Sequence, residues 1–230
     1  MAFEWYSTAA KQGFASSQNN LALMYKKGLG TKQNYIEALK WFKKAADRDH
    51  GHSQNNLAIM YEKGQGTVQD YTKAYKWYKK AAEQGVAWAQ YNLGYYYYIG
   101  RGVPQNYLEA LEWYKKAARL GQTKAKYNVG YMYRWGQGVA QNYTESIRWY
   151  KKAAADNDSD AQLSLGIAYE QGLGVIKNNV IAYAWYRVSH KNDASGALLK
   201  IASLAQQMTI KEIKEAEDKV TLWEQNNIDP

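Results

Sequence analysis

Apolar residues recur along this chain at intervals of three and four positions, and short glycine-containing segments interrupt them. The stretch AWAQYNLGYYYYI at 87–99 is rich in apolar residues at this spacing and lacks proline, which predicts a helix. Gly100 and Gly102 follow it, and glycine readily adopts the left-handed backbone that ends helices. Asn106 is a suitable N-cap for a second apolar-periodic stretch, YLEALEWYKKAARL from Tyr107. The pattern therefore predicts a pair of helices joined by a two-glycine loop.

This helix pair recurs every 36 residues. When the repeats are aligned, several columns of equivalent positions contain the same or a similar residue type at this spacing. The repeated positions are Trp5, Trp41, Trp77, Trp113, Trp149 and Trp185; Tyr25, Tyr61, Tyr97, Tyr133 and Tyr169; the glycine pairs starting at Gly28, Gly64, Gly100, Gly136 and Gly172; the alanine pairs starting at Ala9, Ala45, Ala81, Ala117 and Ala153; and the N-caps Asn34, Asp70, Asn106, Asn142 and Asn178. Because one helix pair cannot bury its own apolar face, we expect the pairs to stack into a solenoid.

The unit pattern AxAQYNLGxxYxxGxGVxxNYxxALxWYKKAA resembles the SEL-one-like repeat, a relative of the tetratricopeptide repeat with a two-glycine loop. The resemblance covers about residues 3–190. It implies an all-α fold, a right-handed α-solenoid superhelix of antiparallel helix pairs with C-terminal capping helices. We expect the repeat array over residues 1–192 and the helical cap over 193–230. Within the array we expect a half repeat at 1–14 and full repeats at about 15–50, 51–86, 87–122, 123–158 and 159–192.

The tail after the array resembles the terminal helices of bacterial members of this family. Thr209 and Glu212 predict a capping box, and an apolar stripe follows at Ile213, Ala216, Val220 and Trp223. At the other end, the chain opens with the second helix of a unit. We therefore expect the natural protein to continue upstream with further repeats or a secretion signal. An envelope or periplasmic location would follow from a signal, and a cytoplasmic one otherwise.

The composition argues against most catalytic and metal chemistry. The chain has 230 residues, no cysteine and three histidines, so thiolate sites are excluded and a histidine metal site is not expected. No acid–base or nucleophilic constellation recurs, and we expect no cofactor. The Gly-x-Gly pairs follow no strand and do not match phosphate loops. No apolar run is long enough to predict a transmembrane segment.

A lysine pair recurs on successive second helices, at 43–44, 79–80, 115–116 and 151–152, and the formal net charge is +9. Such a ladder could attract nucleic acid or an anionic membrane. Acidic residues are interspersed elsewhere and arginine is scarce, which favours a solvated column that keeps the array soluble. We therefore expect no nucleic-acid partner.

Columns that differ among the repeats indicate where something besides the fold selects the residue. Trp88 occupies a column that otherwise contains serine, histidine, lysine and aspartate. Tyr98 occupies one that is charged in the four other repeats, and Ile99 and Trp135 replace lysine or glutamine. Positions 88, 91, 95 and 98 share one side of the first helix. In tetratricopeptide repeats that side lines a concave groove.

We therefore predict an aromatic partner-binding patch in the groove, with asparagines that bond a partner's backbone. The candidate residues are Trp88, Tyr91, Asn92, Tyr95, Tyr98, Ile99, Tyr127, Asn128, Tyr131, Arg134 and Trp135. The alternative for Tyr91, Tyr95, Tyr127 and Tyr131 is that they fill gaps between helices. Aromatic anchors supply much of the binding energy at protein interfaces, about 2 kcal/mol or more for each truncated hot spot.

The resemblance implies a non-catalytic scaffold or adaptor that binds a protein or peptide, in envelope assembly, secretion, signalling or host interaction. An immunity protein that neutralises a toxic effector is the alternative, and an enzyme acting on cell-wall polymer is less favoured. A monomer is expected, and the sequence does not identify the partner.

Overall fold

The computed structural model describes residues 2–226, which form thirteen helices and no strand. The helices are α1 Ala2–Lys11, α2 Ala15–Lys27, α3 Tyr35–Ala46, α4 Gly51–Lys63, α5 Tyr71–Glu83, α6 Ala87–Ile99, α7 Tyr107–Arg119, α8 Thr123–Trp135, α9 Tyr143–Ala154, α10 Ser159–Gln171, α11 Asn179–Lys191, α12 Ala197–Ala205 and α13 Ile210–Asn226. Residues 227–230 of the predicted cap, and Met1 of the predicted half repeat, lie outside the described residues.

The chain divides into two compact units, Met1–Leu120 with helices α1–α7 and Gly121–Pro230 with helices α8–α13. In the first unit the extensive helix pairings are α2 with α3, α4 with α5 and α6 with α7. In the second they are α8 with α9 and α10 with α11. Within each unit, neighbouring pairs also pack on one another, as α5 does on α6 and α9 does on α10. The predicted all-α solenoid of sequential helix pairs is confirmed.

The loop between paired helices follows the predicted chemistry, as the α6–α7 pair shows. Gly100 has φ 70°, and its N–H donates to the carbonyl oxygen of Tyr96, which ends α6. Asn106 begins α7, where its side-chain oxygen accepts from the N–H of Glu109 at 3.1 Å. Gly102 also has positive φ, and a Cβ there would lie 2.6 Å from the carbonyl carbon of Tyr71 in the preceding pair. The second glycine is therefore required by close packing as well as by conformation.

The core lies between the helix pairs, where tyrosine rings and alanines interdigitate. In the first unit, Leu93 and Tyr96 of α6 pack with Tyr78 and Ala82 of α5. Gly94 lets the Tyr114 ring lie directly on α6, because a Cβ at Gly94 would be 2.8 Å from that ring. These small residues allow the close helix approach that the repeat requires.

The C-terminal helix α13 packs on α11. The capping box is present, since the N–H of Thr209 donates to Glu212 Oε2 at 2.8 Å and the N–H of Glu212 donates to Thr209 Oγ1 at 3.3 Å. Ala216 is buried, and Trp223 lies with its ring centroid 5.5 Å from that of Trp185. The predicted apolar stripe therefore covers the last helix pair.

Candidate partner-binding faces

One side of α6 presents aromatic side chains to solvent, while its opposite side forms the core. Trp88 and Tyr95 are 57% and 37% exposed, whereas Ala89 and Tyr96 are buried. Tyr98 is half-buried. We call this side the α6 face, formed by Trp88, Tyr91, Asn92, Tyr95, Tyr98 and Ile99. The structure therefore places the six candidates of this repeat on the solvent-facing side of one helix.

Two tyrosines of the α6 face also support the helix pair. The ring of Tyr91 lies 5.7 Å from that of Tyr114, and the ring of Tyr98 lies 5.3 Å from that of Tyr107. Trp88 meets the Tyr91 ring edge-on at 6.1 Å. Tyr91 and Tyr98 thus have one side packed against α7, and Trp88 is the most exposed ring of the set.

Polar and charged side chains contact two other residues of the α6 face, Tyr95 and Asn92. The Arg101 guanidinium lies 5.7 Å from the Tyr95 ring centroid and forms an ion pair of 3.5 Å with Glu62. Asn92 Nδ2 donates to Asn55 Oδ1 at 3.5 Å, so one amide hydrogen of this predicted partner contact is used within the array.

The α8 face lies in the second unit and is formed by Tyr127, Asn128, Tyr131, Arg134 and Trp135. Its rings form a row, with centroid distances of 6.4 Å from Tyr127 to Tyr131 and 6.2 Å from Tyr131 to Trp135. The Arg134 guanidinium lies 5.3 Å from the Trp135 ring, and Trp135 is 55% exposed. Burial, followed by the charges of Asp160 and Asp158, raises the pKa of Tyr127, which therefore stays a neutral phenol.

The exposed tryptophans occupy positions at which the fold accepts polar side chains. Lys124 is exposed at the position that corresponds to Trp88, one repeat later. Lys27 and Lys63 are exposed at positions corresponding to Trp135. Because lysine serves equally well there, core packing does not account for either tryptophan.

Inspection of the sequence did not single out Tyr107 and Tyr150, two of the second-helix tyrosines on which these faces rest. It also missed a pairing between two columns. Glu62 accepts from the hydroxyl of Tyr78, and Glu170 from that of Tyr186, both 16 residues further along the chain. The signal in the sequence is the spacing: in both repeats a glutamate is followed 16 residues later by a tyrosine.

Other polar clusters satisfy structural roles. His50 caps α4 by accepting from the N–H of Ser53 at 3.2 Å, and burial followed by the nearby His52 lowers the pKa of His50. Lys116 lies 3.8 Å from the Trp113 ring, so the second lysine of this repeated pair packs on the tryptophan of its own helix. Within residues 2–226 no group of three or more histidine, aspartate and glutamate side chains could hold a metal ion.

Among the described helices, none is long and apolar enough to cross a membrane.

The fold and its surface define the class of protein. Stacked helix pairs of 36 residues, with a uniform core and non-uniform solvent-facing positions, are an α-helical repeat scaffold of the kind that presents side chains to partners. The Sel1 repeat model matches residues 1–14, 15–50, 51–86, 89–122, 123–158 and 159–188. The chain therefore belongs to the Sel1 repeat family.

Solved structures agree with this assignment. A Sel1 repeat protein from Oxalobacter formigenes is 35% identical with a TM-score of 0.83, over 87% of this chain and 83% of that one. A protective antigen of uropathogenic Escherichia coli with an SLR fold is 35% identical with a TM-score of 0.87, over 97% of this chain. The match spans only 49% of that antigen. No curated protein matches the chain.

An immunity protein from Pseudomonas aeruginosa is similar in fold, with a TM-score of 0.51, 21% identity and coverage of 83% of this chain and 73% of that one. Identity at this level shows a shared fold alone.

Proposed function

We propose that this Sel1 repeat protein is a scaffold that binds a protein or peptide partner through the α6 face and the α8 face. The observation that carries the proposal is the exposure of Trp88 and Trp135, 57% and 55%, at positions where most other repeats carry charged or polar side chains. Burying these rings against a partner would remove apolar surface from water, and tryptophan is enriched among the residues that dominate binding energy.

The chemistry of the two faces suits a polypeptide. Trp88 adjoins the Tyr91 ring and Trp135 adjoins the Tyr131 ring. Tyr95, also on the α6 face, is 37% exposed, and a phenolic hydroxyl can donate to or accept from peptide groups. Tyrosine and tryptophan offer large contact areas while losing little side-chain entropy on binding. The net charge of +9 favours association with an acidic partner through long-range attraction.

Photo-crosslinking tests the proposal at single positions. The crosslinking residue p-benzoylphenylalanine would replace Tyr95 or Tyr131, and in matched control proteins Ile36 or Ile176, which are exposed outside the two faces. Incubated in extract of the native host, the Tyr95 and Tyr131 proteins should yield a discrete covalent adduct that the controls lack. Equal adducts from all four positions, or none from the two faces, would refute the proposal.

An immunity role is the second candidate, favoured by the fold shared with the immunity protein of Pseudomonas aeruginosa. It requires tight binding of one toxic effector, whereas an adaptor binds several partners or binds more weakly. The adducts distinguish the two, because one neighbouring-gene toxin held with nanomolar affinity would support the immunity role. Sel1 repeat proteins are generally non-catalytic scaffolds, and we propose the same for this chain.

A further inference from the structure

Two repeats share a carboxylate–phenol contact between their paired helices. Glu62 Oε2 accepts from the hydroxyl of Tyr78 at 2.7 Å, and Glu170 Oε2 accepts from that of Tyr186 at 2.6 Å. A cation completes each site, since Arg101 pairs with Glu62 at 3.5 Å, as a lysine does with Glu170. In each of these two repeats, the tyrosine hydroxyl, the glutamate carboxylate and a cationic side chain form one polar cluster.

The repeat that contains α8 and α9 has the phenol and a cation without the carboxylate. Arg134 stands at the position that corresponds to Glu62 and Glu170, and Tyr150 stands at that of Tyr78. Tyr150 is 2% exposed, and its hydroxyl has no hydrogen-bond partner among the described residues. Gly130 brings the ring onto α8, since a Cβ there would lie 2.7 Å from it. The orphaned hydroxyl is thus held in a fixed place.

A small cavity of about 10 Å³ adjoins Tyr150 and Arg134 and is also lined by Ser146 and Ser164. Ser146 Oγ donates to the carbonyl oxygen of Gly130, and Ser164 Oγ donates to that of Asp160. Burial raises the pKa of Tyr150 and the two serines act to lower it, but neither serine meets hydrogen-bond geometry with the Tyr150 oxygen. Both serine hydrogens are therefore used elsewhere.

The protonation states suit an anion. Burial, followed by the neighbouring Tyr127, raises the pKa of Tyr150 to about 12, so its hydroxyl remains a donor at neutral pH. The Arg134 guanidinium is always charged and forms no ion pair with another described residue, and it rests against the exposed ring of Trp135. Tyr150, whose hydroxyl is a donor, and Arg134, whose charge no described carboxylate neutralises, therefore line the same cavity.

We propose that Arg134 and Tyr150 form a carboxylate-binding subsite that takes a glutamate side chain of the partner. The inference rests on the proposed function and specifies the chemistry of the partner at the α8 face. The incoming carboxylate would accept from the Tyr150 hydroxyl and pair with Arg134, in the place that Glu62 and Glu170 fill in their repeats. Because the cavity has room for about one water molecule, the Arg134 side chain must swing outward to admit the carboxylate. Trp135, beside it, would then cover the glutamate stem.

A small-molecule titration tests the subsite without the partner. The full chain, with its tyrosine rings labelled with ¹³C, would be titrated with N-acetylglutamate methylamide and, as matched probe, with the glutamine analogue. The glutamate probe should shift the Tyr150 ring signals saturably, while the glutamine probe should not. Tyr150→Phe should weaken binding by about tenfold, because a hydrogen bond to a charged acceptor is lost.

Arg134→Glu provides the sharper variant, since it installs the residue found at the same position in two other repeats. It should fold normally and abolish the titration, because its own carboxylate would accept from Tyr150. Three results would overturn the subsite: no saturable shift, an equal shift with glutamine, or undiminished binding to Arg134→Glu. N-acetylglycine carries a terminal carboxylate in place of a side-chain carboxylate. If it binds more tightly than the glutamate probe, the subsite takes the C-terminus of a chain, and the assignment to a glutamate side chain is overturned.

The two proposals fail separately. If the titration fails while crosslinking at Tyr131 succeeds, a water molecule fills the cavity and the partner binds by its other contacts. If the titration succeeds while crosslinking fails, Arg134 and Tyr150 bind a carboxylate, but the partner-binding proposal falls and with it the partner's glutamate as the source.

Discussion

Removing the hydroxyl oxygen should have different effects on stability at two equivalent tyrosines of the second unit. Tyr186 donates to Glu170, whereas the hydroxyl of Tyr150 is buried without a partner. A hydrogen bond to a charged group contributes about 1.5–3 kcal/mol, so Tyr186→Phe should lower the free energy of unfolding by about that amount. An unpartnered buried hydroxyl is itself a cost, so Tyr150→Phe should leave stability unchanged or raise it by about 1 kcal/mol.

The expected difference between the two variants is therefore about 1.5–4 kcal/mol, although each variant loses the same hydroxyl group. Part of the loss at Tyr186 comes from Glu170: burial opposes its ionisation, yet hydrogen bonds from Tyr186 and Lys200 hold its pKa below the usual value. Losing the Tyr186 hydroxyl removes one of these hydrogen bonds and leaves the half-buried carboxylate with Lys200.

Urea unfolding of the full chain, followed by circular dichroism, measures both variants. Tyr78→Phe serves as an independent copy of Tyr186→Phe in the first unit, because Tyr78 donates to Glu62. Equal destabilisation by Tyr150→Phe and Tyr186→Phe would refute the reasoning, since it would mean that the Tyr150 hydroxyl is already satisfied, for example by an ordered water.

Two further predictions concern the scaffold. Because burial and His52 lower the pKa of His50 from its ordinary 6.5, the folded state favours the neutral ring: the stabilisation is complete above pH 6.5 and is lost as pH falls through 6.5 toward the lower folded value. His50→Asn, which keeps an N-cap acceptor, should flatten that pH dependence in urea titrations, and an unchanged slope would contradict the assignment. Gly102→Ala should melt well below Gly85→Ala, since both have positive φ but only Gly102 meets a neighbouring backbone; equal melting temperatures would contradict this packing.

The fold could be predicted from the sequence because its determinants are local and repeated. Gly100 ends a helix, Asn106 begins the next, and both act within one turn of their own position. The period of 36 residues then requires that neighbouring pairs make the same contacts. Thr209 and Glu212 act in the same local way, and their predicted capping box is present.

The candidate site was predictable only where exposure follows from helical periodicity. Trp88 and Trp135 lie at positions that are mostly polar in the other repeats, and both are exposed in the structure. Tyr98 also lies in a charged column, yet its long ring folds back to pack beside Tyr107. Helical spacing specifies the direction of the Cβ atom and not the path of a long side chain.

The orphaned hydroxyl required information that no single column contains. Tyr150 belongs to a nearly uniform column, and Arg134 to a variable one. Their relation emerges only because the paired helices bring Glu62 onto Tyr78 and Glu170 onto Tyr186. Contacts across a helix pair are set by packing, which explains why inspection of separate columns missed them.

Partner binding through the two faces is tested most directly by the affinity of the crosslinked partner for Trp88→Ser/Trp135→Ser. A matched variant, Ile36→Ser/Ile176→Ser, removes two exposed side chains elsewhere. Isothermal titration calorimetry should show the dissociation constant rising at least about thirtyfold for the tryptophan variant, the equivalent of one lost hot spot, with the matched variant unchanged. Both variants should melt within a few degrees of the wild type, because the replaced side chains are exposed. An unchanged dissociation constant for the tryptophan variant, or an equal loss in both, would contradict binding through these faces.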